Sequence, residues 1–520
     1  SESPVKEGIL AVGTDDGLVQ LSTNGGESWS RSAPLPRLPA LSFVNDIEMS
    51  MNDGSTLYVV ADNHKTGDFA PYVFESTDLG RSWRSMAGDL PKGTIVWAIQ
   101  QDQVRPDLFF LGTEFGIYFT IDHGKHWEKM GGLPTIPFRD VKLERRDGDL
   151  VGASFGRGLY VLDDYAPLRQ LTAGGFEGEG VLFPIRTAWW FVPYQPGQAP
   201  GRPEQGTDDF TAPNPPQGAL FTYYLREAPT TAHEARQKSD KELAEKGTDA
   251  PFPGFDRLRA EELEQKPKVL LIVSDAAGRK VRAIEGPAKE GLQRVNWDLR
   301  GANPEPVVLD PPAFQSPWDQ SSKGPLVAPG RYSAELVVVS GSGVRSLSTP
   351  QSFEVKAVPN LAPGTDPQAV AAFQQRTAED LRRVSSIAAE LDQLRDQLKQ
   401  MRATLAETPK ADPALYAQLD TLSRAVADLG LRLEGDPAHQ KLFESDTPSI
   451  GDRVSAVKDG HWETRQMPTT TQRRDLDIAE TGLAALERDL KALIAGDLAR
   501  LEEAFTAAGA PWTPGRRMVP

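Results

Sequence analysis

An eight-residue phrase is written three times in the first quarter of the chain: Ser22-x-Asn24-x-Gly26-x-x-Trp29, Ser76-x-Asp78-x-Gly80-x-x-Trp83 and Thr120-x-Asp122-x-Gly124-x-x-Trp127. A motif that returns at intervals of roughly 50 residues marks a repeated supersecondary unit, and four-stranded propeller blades have this length. Each residue type in it has a local task. Asp or Asn accepts backbone N–H bonds inside a turn, the Ser or Thr hydroxyl adds another bond, glycine takes a positive φ, and tryptophan lays an apolar face over the hairpin. The motif therefore reads as a self-capped turn, structural rather than catalytic despite its carboxylates.

Strand and turn patterns around the motif repeat as well. Residues 8–21, with Gly13-Thr14-Asp15-Asp16-Gly17 at their centre, read as strand, tight turn and strand. The phrase returns over 108–118 around Gly112-Thr113-Glu114-Phe115-Gly116, and in degenerate form over 150–161. Three or four such blades are too few to close a propeller. The first strand is then expected to have an open edge, and open edges invite pairing, so the remaining blades would come from upstream sequence or from a second polypeptide. A short propeller closed by oligomerisation is the alternative.

The 520 residues exceed what one core organises and predict about three domains. With 39% hydrophobic and 25% charged residues the chain is ordinary globular material. It contains no apolar run of about 18 residues that could span a membrane. Its net charge of −16 opposes electrostatic capture of nucleic acid or of an anionic membrane. The absence of cysteine excludes disulfides, thiolate metal sites and cysteine nucleophiles. The chain opens Ser1-Glu2-Ser3-Pro4, with no initiator methionine or leader pattern, which fits a mature product or, preferably, a piece beginning inside a longer protein.

The organisation read from the sequence is multidomain, mainly β and then α. Residues 1–167 would hold a partial β-propeller. Residues 168–360 would form an immunoglobulin- or fibronectin-like β-sandwich from the runs 181–183, 188–192, 220–225, 269–273, 292–297 and 332–338. Its long insertions would be 195–218, 229–267, with a helical signal around Glu234 to Lys246, and 301–330. Residues 361–509 would form an antiparallel helical bundle with three apolar stripes, running from Val370 to Leu405, Leu415 to Leu433 and Leu483 to Phe505, each spaced by threes and fours. Asp366-Pro367 and Asp412-Pro413 read as helix starts, and Gly435 and Gly509 as helix ends. The proline-bearing stretch 436–470 is expected to pack irregularly, and 510–520 to form a tail anchored by Trp512.

The repeated phrase resembles the Asp-box of BNR-repeat proteins, a set that includes sialidases, xyloglucan-active glycosidases and sortilin-type (VPS10) receptors. The runs Tyr72-Val73-Phe74-Glu75-Ser76-Thr77-Asp78, Val104-Arg105-Pro106-Asp107-Leu108 and Gly156-Arg157-Gly158-Leu159-Tyr160-Val161-Leu162-Asp163-Asp164 resemble large exported bacterial proteins labelled sortilin-like or BNR glycosyl hydrolase. Asn296-Trp297-Asp298-Leu299-Arg300, Ala328-Pro329-Gly330-Arg331-Tyr332 and Gly509-Ala510-Pro511-Trp512-Thr513-Pro514-Gly515-Arg516 resemble later segments of the same proteins. The resemblance implies the C-terminal half of such a protein, with an exported, periplasmic, surface or extracellular location.

Candidate chemistry is sparse. His123 and His126 form an HxxH pair inside the third box, where their side chains are expected to face solvent in different directions without a third ligand. The other histidines form no constellation with a nucleophile. Glycoside hydrolysis needs two carboxylates, and the available pairs are Asp15 with Asp16, Glu114 with a later turn, and Asp163 with Asp164. The better site is the polar loop 62–72: His64, Lys65, Asp68 and Tyr72, with Glu114 and Arg157, would line one mouth of the propeller and bind a ligand there. The plainer reading has these groups satisfying one another at blade junctions. Trp189-Trp190 with Tyr194 offers either a sugar platform or junction packing.

The expected role is non-catalytic: a protein- or peptide-binding or assembly scaffold without metal or cofactor. Its partner would be the polypeptide supplying the remaining blades, and its ligand a peptide or glycan. A glycoside hydrolase acting on polysaccharide and a structural subunit of a larger complex are the alternatives.

Overall fold

The chain is described by a computed structural model covering residues 1–176, 178–193, 214–309, 323–341 and 343–516. It is mainly β-sheet, with a helical region towards its C-terminus. Two compact units are present: Ser1–Pro184 with Thr222–Ala228 and Glu290–Leu292, and Ile185–Phe221 with Pro229–Lys289 and Gln293–Pro520.

The first unit is a series of four antiparallel sheets, each running up and down in chain order. Sheet one holds β1 (Leu10–Gly13), β2 (Val19–Ser22) and β3 (Ser30–Arg31), and Glu2 bridges Leu10 on the free side of β1. Sheet two holds β4 (Phe43–Met49), β5 (Leu57–Asn63), β6 (Asp68–Ser76) and β7 (Arg84–Ser85). Sheet three holds β8 (Val96–Gln101), β9 (Phe109–Thr113), β10 (Gly116–Thr120) and β11 (Glu128–Lys129). Sheet four holds β12 (Phe138–Glu144), β13 (Asp149–Ser154) and β14 (Leu159–Leu162).

Three separate apolar layers fill the spaces between successive sheets. Val19 and Leu21 of sheet one meet Ile47, Val59 and Phe74 of sheet two. Val60 and Val73 of sheet two meet Val96, Leu111 and Tyr118 of sheet three. Phe110, Ile117 and Phe119 of sheet three meet Phe138, Val141 and Leu150 of sheet four. A strand buried on both faces loses polar alternation, which is why β5, β9 and β10 are buried along their whole length. Close approach of the sheets explains two glycines of the repeated Gly-Thr phrase: a Cβ on Gly112 would stand 2.6 Å from the Phe138 carbonyl, and one on Gly13 would collide with Val44.

In the second unit a six-stranded sheet runs Ala188–Trp190, Gln351–Ala357, Gly330–Ser340, Lys268–Asp275 and Lys280–Gly286, with Gly343–Ser346 paired to the third of these. Ala188–Trp190 pairs in parallel with Gln351–Ala357. Phe221 and Trp297 pack edge-on against Phe353, and Trp297 also meets Tyr332, which forms the apolar layer over that sheet. The strands Lys280–Gly286 and Gln351–Ala357 were not anticipated from the sequence. Part of 195–218 and of 301–330, together with Tyr194 and 517–520, lies outside the described residues.

The insertion 229–267 carries two helices rather than one, α1 (Ala232–Glu245) and α2 (Phe255–Leu263). They are joined by charge: buried Glu261 accepts from Arg236 and Arg257. The helical region holds α3 (Pro367–Ala406), α4 (Ala414–Glu434), α5 (Pro437–Leu442), α6 (Ile450–His461), α7 (Thr470–Leu493) and α8 (Ala499–Ala507). The three apolar stripes meet in one core that includes Leu391, Leu398, Leu419, Leu433, Leu483 and Phe505. The expectation of irregular packing over 436–470 is corrected. Ser449 and Asp452 form a capping box that starts α6, and Val454 and Val457 bury one side of it. A π-helical turn, Ile494–Leu498, separates α7 from α8. Buried Arg300 donates to the carbonyls of Gly324 and Trp462 and pairs with Glu463 at 3.2 Å, linking sheet and helices inside this unit.

Candidate functional site

The two ends of the first unit's sheets are built differently. At one end lie the three boxes, whose hydrogen bonds are the same each time. Ser22, Ser76 and Thr120 donate to Asn24, Asp78 and Asp122 at 2.8–2.9 Å and accept from the backbone N–H of Gly26, Gly80 and Gly124. The Asn or Asp oxygen accepts a second backbone N–H, from Ser28, Ser82 or His126. Ser82 and the other donors hold the Asp78 carboxyl down at about 2. Trp83 and Trp127 donate to the carbonyls of Ala33 and Met86, residues that follow the last strand of the preceding sheet. Trp29 donates to Gly26 of its own turn.

His123 corrects the expectation for the HxxH pair. It adopts a left-handed φ of 62° and inserts its ring between sheets, with Nε2 2.6 Å from Glu75 and Nδ1 3.0 Å from Asp107. The ring lies edge-on to Phe109. The Glu75 contact raises its pKa. His126 instead folds back on Asp122 at 2.5 Å and is exposed, so the two histidines share no ligand position.

At the opposite end, the first strand of each of three successive sheets carries a β-bulge at the same place. The register shifts between Val44 and Asp46, between Val96 and Ala98, and between Phe138 and Asp140. The extra residues are Asn45, Trp97 and Arg139. A bulge leaves its residue unpaired and redirects the side chain. Each lies beside a hairpin turn, because Phe43 pairs with Asp62, Val96 with Thr113 and Phe138 with Ser154. Asn45 donates to the Val96 carbonyl at 2.9 Å. Trp97 donates through Nε1 to Glu114 at 3.0 Å. The Arg139 guanidinium stacks 3.4 Å from the Trp97 ring and 5.3 Å from exposed Phe155.

Of the six residues named from the sequence, His64 and Glu114 meet at Trp97. The His64 ring stands edge-on to the indole, and its Nδ1 contacts Asp62. Lys65 lies beside them with Nζ 3.9 Å from the Phe43 ring centroid. Asp68 and Tyr72 pair with each other at 2.6 Å, and burial followed by the Asp68 contact pushes the Tyr72 hydroxyl up to about 12. Arg157 stands apart on the exposed turn 155–158. Trp97, Arg139 and Phe155 were missed because their neighbourhood is made by pairing between sheets, which leaves no local sequence signal.

A carboxylate pair was also missed. Asp46 and Glu48 lie two residues apart on β4, on one face with a spacing of about 7 Å along the strand. Asp46 accepts the Ile99 backbone N–H at 3.1 Å, and Glu48 accepts from Gln100 at 3.0 Å. Burial, then the charge of Asp46, raises Glu48 to about 7, with Lys142 opposing. The alternation Asp46-x-Glu48 between the apolar residues Ile47 and Met49 was the available signal. Of the pairs named from the sequence, Asp16 contacts Thr14, and Asp164 is buried with its carboxylate on the Ala166 N–H. Both therefore serve their own turns. Glu144, Asp147 and Asp149 bring carboxylate oxygens within 4.8 Å of one another, and Glu144 accepts the Asp147 N–H.

In the second unit, alternation buries Trp190, whose Nε1 donates to the Val327 carbonyl at 2.7 Å, and exposes Trp189. Among the described residues no helix is long and apolar enough to cross a membrane.

No family model and no curated protein matches the chain. Its structure is similar to that of YCF48 bound to a D1 peptide, at 18% identity and a TM-score of 0.24, over 31% of this chain and 53% of that one. It is similar to the GH74 xyloglucanase of Xanthomonas campestris, at 15% identity and a TM-score of 0.25, over 44% and 35%. It is similar to the extracellular domain of BT4673 from B. thetaiotaomicron, at 11% identity and a TM-score of 0.21, over 69% and 38%. The chain spans about half or less of each of these structures. Likeness of this degree assigns neither fold nor function.

Proposed function

We propose that the four sheets are blades of a β-propeller, that the second unit joins an immunoglobulin-like sandwich to a helical bundle, and that the whole is a non-catalytic scaffold binding protein or peptide. In this reading the domains are 1–167, 168–360 and 361–509 with a tail at 510–520, and the protein is exported and sortilin-like. The observation that carries the binding role is the repeated bulge. Three equivalent positions hold Asn45, Trp97 and Arg139, each next to a hairpin turn, and Arg139 lies exposed against two aromatic rings. His64, Lys65 and Glu114 extend this surface, Arg157 stands on the neighbouring exposed turn, and Asp68 and Tyr72 pair with each other in the loop.

A displayed peptide library panned on the full chain should yield binders whose affinity falls at least about tenfold in Arg139→Ala and in Trp97→Ala. Binders indifferent to both substitutions would sink the assignment. A second reading, glycoside hydrolysis, is favoured by one observation, Glu48 beside Asp46 with its carboxyl raised to about 7 by burial. It predicts release of reducing ends from a polysaccharide panel, abolished in Glu48→Gln. The engagement of Asp46 with the Ile99 N–H supports the simpler role of stitching adjacent sheets.

A further inference from the structure

The series of sheets exposes two unlike faces, and register identifies what each face lacks. Val12 on β1 occupies the position of Val59 in sheet two and Leu111 in sheet three, both 0% exposed, yet Val12 is 46% exposed. Trp29 is 41% exposed where Trp127 is 7% exposed. At the other end, Leu159 and Val161 on β14 take the places of Ile117 and Phe119, which are 2% and 9% exposed, and are themselves 71% and 57% exposed. Each bare face is one half of a joint that the chain completes internally three times.

The joint has a polar component as well. Between sheets one and two, Trp83 Nε1 donates to the Ala33 carbonyl at 3.0 Å while the Ala33 N–H donates to Gly80 at 2.7 Å. Between sheets two and three, Trp127 Nε1 donates to Met86 at 2.9 Å, and a Cβ on Gly124 would lie 2.9 Å from that same carbonyl. The acceptor is always the segment leaving the outermost strand of the preceding sheet. At the first box no preceding segment reaches the corresponding glycine: a Cβ on Gly26 would meet only its own sheet, Leu10 at 3.6 Å and Trp29 at 3.8 Å.

Resting on the propeller reading, we infer that the Val12–Trp29 face docks a further four-stranded sheet of the same repeat, whose segment after its outermost strand offers a backbone carbonyl to Trp29. A second copy of this chain does not fit the requirement. Its matching apolar face belongs to sheet four, which has three strands and is followed by the turn Ala166–Gln170. The Arg105 guanidinium already engages the carbonyls of Leu168 and Leu171 in that turn. The occupant is therefore a polypeptide bearing its own complete sheet and its own outermost strand, and the bond it makes to Trp29 is chosen by position rather than by side chain. This explains how such a joint tolerates Ala33 in one case and Met86 in the other.

The test uses tryptophan oxidation footprinting, read by mass spectrometry, on the full chain and on a fusion carrying an extra copy of residues 43–95 ahead of Ser1. In the full chain, Trp29 should oxidise at least about tenfold faster than Trp127. In the fusion, Trp29 should slow towards the Trp127 rate, and Trp29→Ala should lower the melting midpoint more than it does in the unfused chain. Three results overturn the inference. One is a protected Trp29 in the unfused chain accompanied by a dimer in sedimentation, which assigns the face to a second copy. Another is a Trp29 that stays reactive beside a folded, protected fused sheet. The last is a fused sheet whose backbone amides exchange as fast as those of an unfolded segment, since the joint is what should order it. Peptide binding through Arg139 is read separately, so failure of either idea leaves the other standing.

Discussion

The two ends of the first unit's sheets obey opposite rules. At the box end, three turns repeat the same bonds with nearly the same residues, so the Ser or Thr hydroxyl and the Asn or Asp oxygen are consumed by their own turn. At the bulge end the backbone repeats and the side chains do not: asparagine, tryptophan and arginine occupy equivalent positions. Repetition of chemistry marks what the fold needs. Repetition of geometry with divergent chemistry marks where a surface has been specialised. The concentration of Asp and Asn at the boxes thus points away from the site.

The contrast can be broken at either end. Trp127→Ala should have the largest effect, destabilising by about 3–5 kcal/mol through loss of a buried indole and its bond to Met86. Trp29→Ala in the same chain should cost a small fraction of that, and equal losses would erase the distinction between filled and bare joints. Ser76→Ala should cost about 1–3 kcal/mol, because the buried Gly80 N–H loses its acceptor and Asp78 its donor.

A smaller, pH-dependent effect is expected at His123. Its pKa is raised above 6.5 in the fold, chiefly by Glu75, so its contribution is complete below 6.5 and is lost as pH rises through the folded value. Denaturation at a series of pH values should show stability falling across that window in the native chain and a flatter profile in His123→Gln. The smallest stability change belongs to Arg139→Ala, about 0.5–1 kcal/mol from the lost stacking, alongside the loss of peptide binding. A large drop in stability would place Arg139 with the boxes instead.

What could be read from the sequence follows the range of the interaction. The box turns close within eight residues, and the stripe of α3 recurs every three or four, so both were legible. The Ser449 and Asp452 capping box is equally local, yet the prolines at 437, 448 and 468 outweighed it and α6 was missed. The strand Lys280–Gly286 has mixed exposure and no clean alternation. Trp97 and Arg139 stand beside one another only because two first strands, over 40 residues apart in sequence, lie in adjacent sheets. Three residues of the candidate surface, His64, Lys65 and Glu114, were named from turn polarity. The group that organises it, the Trp97 indole, sits in an apolar run where nothing distinguishes it from core.

The bulges have a consequence for how such a protein changes over time. A residue inserted between two paired positions sits outside the two-residue rhythm that commits its neighbours to one layer or another. Exposed Arg139 can therefore change at little cost to the packed interior, whereas buried Trp97 bonds Glu114 and carries the Arg139 and His64 contacts, so its replacement reaches all three. The bulges thereby place one position that can vary freely, Arg139, beside one, Trp97, whose change would reset its neighbours.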